Sequence, residues 1–369
     1  MVTASVPAVP PFPWTVADAD PADTELVAEF HGDFEPIRQA KYYGADEVQL
    51  PIKRVERQRT LRLRRFKNII VMPHHVIVSQ VDGRLLPVSF ALYYHKSFLS
   101  PGSDDPFSTQ KYQFDGKLQA PRVVDEPVFL AEAGYGEYGH MLLEVIPKLG
   151  MLAAAPPGTR VIATTSTHSH QPSFQSMFSA FGADSERVTV FRGPLFCSTV
   201  YVPDPPLDLS GNIHTVARAG FARVARSLST SVGPRRRKLF LSRSRMRDRR
   251  LTNETEVEAM FSARGFEIVH PERLPVVEQI LLVMEAEMVA GLGGSAMHTL
   301  AFAAAETKAL FLLSAQWFAG IDRYIARADG QYAFVFGTSH RQDGLYKRQW
   351  PWTVDPLLVE QALAEHFGL

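Results

Sequence analysis

The chain has 369 residues, 46% of them hydrophobic and 21% charged, and its 39 Lys and Arg balance 39 Asp and Glu. This length favours two domains of ordinary globular composition. Because the net charge is zero, the composition excludes a chain drawn as a whole to nucleic acid, and any anion site must be a local concentration of charge. The single cysteine, Cys197, excludes an intrachain disulfide framework and is expected to be a small buried filler.

The N-terminal segment is rich in proline and acidic residues, and it has neither a basic stretch nor an apolar block. We therefore do not expect a signal peptide. No window of the sequence reaches the ~18 apolar residues that a membrane span requires. These features favour a cytoplasmic protein, with any membrane contact limited to peripheral association at the inner membrane.

Residues 1–123 predict an extended arm followed by a β-rich region that belongs to the N-terminal lobe. Apolar and polar residues alternate on both sides of Asp82-Gly83, a pattern typical of a β-hairpin. Basic residues recur at about every second position between 54 and 67. They form either one solvated face of a strand or a patch that faces an anionic acceptor or lipid. Residues 99–120 have the composition of a flexible flap.

Residues 124–231 and 235–369 each alternate short apolar strands with helices, and a Ser/Gly/Pro break at 228–234 separates them. Such alternation predicts a parallel sheet covered by helices. The fold class is therefore α/β, with two Rossmann-like domains facing a cleft, a β-rich N-terminal extension and a C-terminal helix. Ligands of such sheets bind beyond the carboxyl ends of the strands.

The stretch from Arg235 to Arg250 contains nine basic residues and one acidic residue. Arg243, Arg249 and Arg250 come just after the first strand of the second series, where the cleft is expected. The arginine fork suits bidentate phosphate binding, so we expect these residues to bind the diphosphate of a nucleotide-activated substrate. A solvated loop is the alternative, and it is favoured for Arg235–Lys238.

Two neighbouring patterns favour an anion at the same place. Asn253 and Glu256 fit a capping box at a helix start, and helix capping alone also explains them. The sequence AGLGGSAMHTLAF (290–302) predicts a strand, a glycine turn and a helix N-terminus, in which backbone N–H groups of Gly294 and Ser295 could cradle phosphate. His298 either contacts phosphate or sugar, or is a structural histidine satisfied by backbone.

A third pattern, GYGEYGHMLLEVIPKL, places His140 and Glu144 four residues apart and hence on one helical face. A histidine at a helix start facing a cleft is a usable general base, and Glu144 could orient it. The alternative is a polar pair that fixes the strand–helix turn. The sequence has no HExxH, Walker or GxSxG motif, which argues against metalloprotease, P-loop and α/β-hydrolase functions.

Four segments of the sequence, by their motifs and by their order and spacing along the chain, resemble glycosyltransferase family 61, in its bacterial polysaccharide-biosynthesis branch. The likeness covers residues 124–315. Its departures are Met141 where an aromatic residue is usual, Gly293 where many members have histidine, and Thr299 where asparagine is usual. The matching segments are GHMLLEVIPKL (139–149), the Ser242-Arg243 and Arg249–Glu254 stretch, GFEIVHPERLPVVEQ (265–279) and GSAMHT (294–299).

The resemblance implies a GT-B-like, inverting enzyme that needs no metal or other cofactor. It would move a sugar from a nucleotide-sugar donor, expected to be a UDP-sugar, to a saccharide acceptor in surface or capsular polysaccharide synthesis. His140 would be the base, and Gln279 would lie near the donor's base or ribose. Polysaccharide-assembly proteins are possible partners. Two alternatives remain: a non-catalytic polysaccharide-binding or partner subunit, motivated by Met141 and Thr299, and a nucleotide-sugar epimerase or hydrolase.

Overall fold

The computed structural model describes most of the chain. Its α-carbon contacts divide into two compact units, and each unit is described by itself. The first comprises residues 1–34, 57–208 and 214–220, and the second comprises 35–56, 209–213 and 221–369. The described residues are 8–10, 14–17, 19–44, 60–73, 75–90, 99–101, 111–114, 120–133, 138–164, 177–191, 193–209, 211–246, 249–345 and 349–369.

The main sheet of the first unit has eight strands and is mixed. Its parallel part runs through Val188–Phe191, Arg160–Thr164, Val128–Leu130 and Leu195–Pro203, as the alternating pattern predicts. The long strand Thr60–Met72 pairs antiparallel with Leu195–Pro203 and joins the N-terminal β-rich region to this sheet. Three further strands belong to the sheet: Glu25–His31, Val76–Ser79 and Arg122–Val124. A separate small sheet contains Trp14–Thr15, Lys111–Phe114 and Leu99–Pro101.

The three arginines of the Thr60–Met72 strand pair with carboxylates of their own unit. Arg62 lies 3.4 Å from Glu29, and Arg65 pairs with Glu25. Arg64 is bound by Asp20 and Asp204. These ion pairs favour the reading of a solvated strand face for this part of the 54–67 segment. Residues 54–59, and most of the expected flap at 99–120, lie outside the described residues.

The helix that carries His140 is interrupted by a wider turn. It begins as an α-helix at Tyr138–His140, continues as a π-helix at Met141–Val145, and returns to α-helix at Ile146–Leu149. Pro147 has no N–H to donate to the preceding turn, and its ring crowds a carbonyl there. An uninterrupted helix was expected, and proline explains the difference, since wide turns of this kind relieve a broken hydrogen-bond ladder.

The second unit is built on a parallel, doubly wound sheet. Across the sheet the strands are Glu267–Val269, Arg237–Leu241, Ala286–Leu292, Lys308–Ser314 and Tyr332–Ser339. Numbered along the chain, this order is 2-1-3-4-5, so it reverses between the first and the third strand. In such sheets the crevice for a ligand opens at the carboxyl ends of the strands where the order reverses.

Two helices of the second unit pack on this sheet through apolar stripes. Glu254–Ser262 buries Val257 and Phe261, and the ring of Phe261 lies 4.6 Å, centroid to centroid, from that of Phe240 in the sheet. Val276–Met284 buries residues at positions i, i+3, i+4 and i+7, as an amphipathic helix should.

The remaining described elements are short, apart from the 14-residue helix Thr215–Leu228. Two strands join the second sheet, Ala40–Tyr43 in parallel and Trp352–Thr353 antiparallel to Tyr332–Ser339. Further strands are Leu207–Asp208 and Asn212–Ile213. The remaining helices are Pro87–Phe90, Leu152–Ala154, Ser179–Phe181, Ser185–Arg187, Ser229–Ser231, Pro271–Arg273, Met297–Phe302, Gly320–Arg323, Pro356–Ala362 and Leu363–Phe367.

The division of the chain differs from the predicted boundaries in two places. Residues 35–56, assigned to the N-terminal region 1–123, belong to the second unit, since Ala40–Tyr43 adds a strand to its sheet. The units divide within the long helix, after Gly220, rather than at the Ser/Gly/Pro break that follows it. Neither difference is visible in local sequence patterns, because strand pairing across about 290 residues leaves no local signature.

His366 gives the second unit a pH-dependent stability. Its ring is buried near the C-terminus and donates from Nε2 to the carbonyl of Ala309 at 3.0 Å. Burial, partly opposed by this hydrogen bond, lowers the pKa of His366 from 6.5 to about 4. The folded state resists protonation of His366. The contribution of the neutral ring to stability is therefore fully present above pH 6.5, the pKa of histidine in the unfolded chain, and is lost as the pH falls toward 4.

We expect His366 to reduce the free energy of unfolding by up to roughly 3 kcal/mol across that window. Chemical denaturation at a series of pH values measures this loss. His366→Gln is the matched control, because glutamine keeps an N–H donor that does not titrate. Identical pH slopes for the wild type and the variant would contradict the assignment.

Candidate functional site

The turn that carries Arg243 is fixed by a buried carboxylate. It follows the strand Arg237–Leu241, and the Oε1 of Glu254 accepts from the Arg243 backbone N–H at 2.6 Å and from the Ser242 hydroxyl at 3.0 Å. Burial raises the pKa of Glu254, and these two hydrogen bonds oppose that shift. Glu254 was part of the matched motif but was not predicted as a site residue. It holds Arg243 at the carboxyl end of its strand.

The glycine turn lies at the neighbouring strand end. Leu241 pairs with Gly291 in the parallel ladder, so the Arg243 turn and the Gly293-Gly294 turn leave the sheet at the same edge. A β-carbon placed on Gly294 would lie 3.1 Å from Nη1 of Arg243 and 3.8 Å from Nη2 of Arg249. The two arginine side chains therefore meet over Gly294, at the point where the strand order reverses. We call Arg243, Arg249 and Gly294 the arginine cradle.

Arg249 reaches the cradle through unusual backbone geometry. Its φ of 53° is left-handed, a conformation costly for a residue with a side chain. Its guanidinium carbon lies 4.4 Å from the ring centroid of Trp317, a cation–π contact. The Trp352 indole N–H donates to its carbonyl at 3.2 Å. Trp317 was not predicted, because it lies in an irregular segment without a sequence pattern.

Other arginines of the basic run have different surroundings. Arg235 pairs with Glu306 at 2.9 Å, and Arg237 is bound by Glu267 at 2.7 Å and by Glu285 at 3.1 Å. The predicted solvated loop at Arg235–Lys238 therefore applies to Arg235 and Arg236, which are exposed, whereas Arg237 and Lys238 are half-buried and begin the strand Arg237–Leu241. Arg250 is exposed, its carbonyl accepts from Trp352, and its guanidinium has no ion pair with a described residue. The structure thus brings Arg243 together with Arg249.

Two predicted polar residues use their side-chain amides to bind backbone. Asn253 precedes the helix as expected, but its side chain makes no cap bond. It exchanges two hydrogen bonds with the backbone of Val354 and donates to Oε2 of Glu256 at 3.2 Å. The two predicted residues therefore meet, but the side-chain-to-backbone bonds of a capping box do not form. Gln279 donates to the carbonyls of Pro271 and Leu274, both at 2.9 Å. Gln279 also lines a narrow apolar recess with Leu241, Val269, Pro271, Ala296 and Thr299.

The segment after the glycine turn is a short 3₁₀ helix, Met297–Phe302, and the expected longer helix is absent from this described stretch. Ser295 is half-buried at the turn. His298 is bound through one ring nitrogen by a side chain rather than by backbone, since its Nε2 lies 3.1 Å from Oδ1 of the buried Asp322. A carboxylate only accepts, so Nε2 carries the hydrogen. Asp322 was not predicted, because 24 residues of chain separate it from His298.

In the first unit, His140 and Glu144 meet as predicted. Nδ1 of His140 lies 3.2 Å from Oε2 of Glu144, whose side chain is 3% exposed while that of His140 is 20% exposed. Because an ionised carboxylate only accepts, the hydrogen lies on Nδ1 and the lone pair on Nε2. Nε2 is the nitrogen that can accept a proton from a substrate.

The described residues contain neither a candidate metal-binding cluster nor a candidate membrane-spanning helix. No cluster of three or more His, Cys, Asp or Glu side chains is arranged to hold a metal ion. No described helix combines the length and apolarity needed to cross a bilayer. Cys197 is fully buried, as expected, and burial raises its pKa to about 12.

Comparison with known families supports a glycosyltransferase. The model of the family described as glycosyltransferase 61 matches residues 138–310, a span that contains His140, Glu144, Arg243, Arg249 and Gly294. The match supports the resemblance drawn from the sequence motifs and suggests glycosyltransferase activity, with donor and acceptor substrates in general. The comparison with curated proteins finds no match.

Gly294→Ala tests the steric basis of the cradle. Gly294 has φ 147°, which side chains disfavour, and an added methyl would displace Arg243. We expect a loss of about 2–3 kcal/mol in unfolding free energy, measured by denaturant titration. Gly265→Ala is the matched control, because Gly265 has φ 80° with no atom within 4 Å of the added carbon. Equal losses in the two variants would contradict close packing of the arginines over Gly294.

Proposed function

We propose that the protein is an inverting glycosyltransferase that transfers a sugar from a nucleotide-sugar donor to a saccharide acceptor. The observation that carries the proposal is the convergence of the Arg243 and Arg249 guanidinium groups on Gly294. They meet at the reversal point of a doubly wound sheet. The family 61 match over 138–310 supports the same reaction class.

In this proposal the arginine cradle binds the donor's diphosphate. Two guanidinium groups present parallel N–H donors to phosphate oxygens and remain charged at every working pH. As the bond to the sugar breaks, negative charge develops on the leaving diphosphate, and fixed cations stabilise that charge without reorganising. This electrostatic role is the basis for proposing a metal-independent reaction.

The remaining predicted donor residues take supporting roles. Ser295 follows Gly294 in the chain and supplies a hydroxyl. His298, which is hydrogen-bonded to Asp322, lies three residues after Ser295. The assignment of Gln279 to the base or ribose side of the donor rests on the family resemblance alone, since its amide N–H groups donate to the carbonyls of Pro271 and Leu274. Asn253 ties the start of the helix Glu254–Ser262 to the backbone of Val354, and Arg250 follows Arg249 in the chain and adds positive charge.

We assign the role of general base to His140. Nε2 would take the proton of the acceptor hydroxyl while that oxygen attacks the anomeric carbon from the face opposite the leaving group. The carbon–oxygen bond to the diphosphate then breaks, and the nucleoside diphosphate leaves with the electron pair. Attack from the opposite face inverts the anomeric configuration. Glu144 keeps the hydrogen on Nδ1 and stabilises the imidazolium that forms.

The finer parts of the proposal come from the family resemblance. They are a GT-B-like fold of two Rossmann-like domains with an N-terminal β-rich extension, and membership in the bacterial branch. They also include a UDP-sugar donor and a saccharide acceptor of surface or capsular polysaccharide synthesis. The site of action would be the cytoplasm, with peripheral contact at the inner membrane or with assembly partners.

Replacing either arginine of the cradle with alanine should weaken donor binding and slow sugar transfer. A thermal-shift panel of UDP-, GDP-, CMP- and dTDP-sugars first identifies the donor, because ligand binding raises the melting temperature. We then expect Arg243→Ala and Arg249→Ala each to lower kcat/KM by about 10²–10³-fold and to weaken nucleoside diphosphate binding. Arg235→Ala, which removes an arginine paired with Glu306, is the matched control. Unchanged turnover in both the Arg243→Ala and the Arg249→Ala variant would contradict the proposed function.

His140→Gln separates chemistry from donor binding. We expect kcat to fall by about 10²–10⁴-fold, because the acceptor hydroxyl loses its base. Donor affinity, measured by calorimetry, should stay near the wild-type value. Full donor turnover without acceptor would instead favour an epimerase or hydrolase, and absent nucleotide binding in the wild type would favour a non-catalytic subunit.

A further inference from the structure

Trp317 lies in a turn that follows the strand Lys308–Ser314. Its backbone N–H donates to the carbonyl of Ser314 at 3.0 Å, and the backbone N–H of Gln316 donates to the Ser314 hydroxyl at 3.2 Å. Lys308–Ser314 pairs in parallel with the strand Ala286–Leu292, which leads into the glycine turn. The two turns therefore leave the sheet side by side at the same edge, and backbone bonds fix the one that carries Trp317.

The ring of Trp317 approaches the backbone of the glycine turn. A β-carbon built on Gly293 would lie 3.3 Å from Cζ3 of Trp317 and would collide with Cδ2 of Leu313. Because Gly293 has no side chain, the edge of the ring fits against this residue. Gly293 thus makes room for Trp317, and the next residue, Gly294, makes room for Arg249.

The contact between Trp317 and Arg249 joins these two places. The guanidinium carbon of Arg249 lies 4.4 Å from the centroid of the Trp317 ring, and both residues are half-buried. Cation–π contacts strengthen as their partners lose water. An arginine side chain that is fixed before a ligand arrives does not lose its rotamer freedom on binding, so the ligand binds more tightly.

An aromatic partner differs from an acidic one in what it leaves for a ligand. Arg237 gives three of its N–H donors to Glu267 and Glu285, whose charges also oppose its own. The contact of Arg249 with Trp317 takes up no N–H donor and adds no negative charge. A tryptophan ring can therefore orient the guanidinium and leave its charge and its donors to an anion.

We propose that Trp317 is a positioning residue for diphosphate binding. Its ring, seated against Gly293, holds the guanidinium of Arg249 over Gly294 before the donor arrives. The inference rests on the proposed function of the arginine cradle and adds a residue that acts through Arg249. Trp317 lies beyond residue 310, where the family match ends.

The position of Arg249 is measured first without any ligand. Protons close to the face of an aromatic ring are shifted upfield, so the Nε–Hε signal of Arg249 in ¹H–¹⁵N spectra reports its contact with Trp317. Arg249→Ala identifies that signal. We expect Trp317→Leu to move it to the ordinary arginine range and Trp317→Phe to restore most of the upfield shift.

Nucleotide binding is measured second. UDP, GDP and dTDP are each titrated into the wild type by calorimetry, and the tightest of the three is titrated into the variants. We expect Trp317→Leu to raise Kd by about 5–20-fold and Trp317→Phe by less than about threefold, because phenylalanine keeps a ring face. Leucine and phenylalanine both keep an apolar side chain, so a packing role alone predicts equal losses.

Two controls separate positioning from other effects. In an Arg249→Ala background, Trp317→Leu should raise Kd by less than about twofold, because the residue through which the ring acts is gone. Trp350→Leu removes another half-buried tryptophan of the same unit, whose indole N–H donates to the carbonyl of Leu345. It should leave both the Arg249 signal and Kd at their wild-type values.

Three results would overturn the inference. The first is a folded Trp317→Leu with the wild-type Arg249 signal and Kd. The second is an equal rise in Kd with and without Arg249, which would mean that Trp317 acts by packing or by touching the nucleotide itself. If Trp317→Leu does not fold, Trp317→Met takes its place, and failure of both to fold would assign the ring to stability alone.

The same measurements keep the two proposals apart. If the Trp317 and Arg249 variants lose nucleotide binding as expected but the wild type transfers no sugar from any donor, Trp317 does position Arg249 and the transferase function is wrong. If Arg249→Ala abolishes transfer while Trp317→Leu behaves as the wild type, the transferase function stands and the inference about Trp317 fails. A wild type that binds none of the three nucleotides would overturn both.

Discussion

Two like-charged side chains that meet over one glycine require the surrounding chain to hold them there, and this constraint organises the second unit. The guanidinium groups of Arg243 and Arg249 repel each other, so neither would stay over Gly294 without support. Glu254 fixes the backbone of Arg243, and Trp317 offers a ring face to Arg249. Gly294 contributes by having no side chain, since a β-carbon would contact Arg243.

The position of this cradle follows from the topology of the sheet. The strand before Arg243 and the strand before Gly294 are adjacent and parallel, although one strand and three helices separate them in the chain. The strand order reverses between them, so their exits diverge and leave a crevice. The chain as a whole has zero net charge. The positive charge concentrated at this crevice nevertheless makes it suited to binding an anion.

Much of this could be predicted from the sequence, because the signals are local. Apolar runs bounded by turn residues predicted the parallel strands, and the same runs placed the basic loop and the glycine turn at strand ends. The spacing of His140 and Glu144 predicted their contact. The widened turn of the helix was not predicted, although Pro147, which explains it, is present in the sequence.

The features that escaped prediction depend on partners distant in the chain. Asn253 has the pattern of a capping box, yet it bonds Val354, 101 residues away. His298 is held by Asp322, which lies in the four-residue helix Gly320–Arg323, and Arg249 packs on Trp317, which lies in an irregular segment. Neither partner belongs to a periodic sequence pattern. The strand Ala40–Tyr43 pairs with a strand near the other end of the chain. Local propensity cannot specify such contacts, because tertiary packing decides them.

The central claim is that the arginine cradle binds the donor's diphosphate, and a crystal structure with a bound nucleoside diphosphate tests it most directly. The account predicts phosphate oxygens within hydrogen-bonding distance of both the Arg243 and Arg249 guanidinium groups, with the phosphate over Gly294. A nucleotide bound elsewhere, with no phosphate contact to either arginine, would contradict the account.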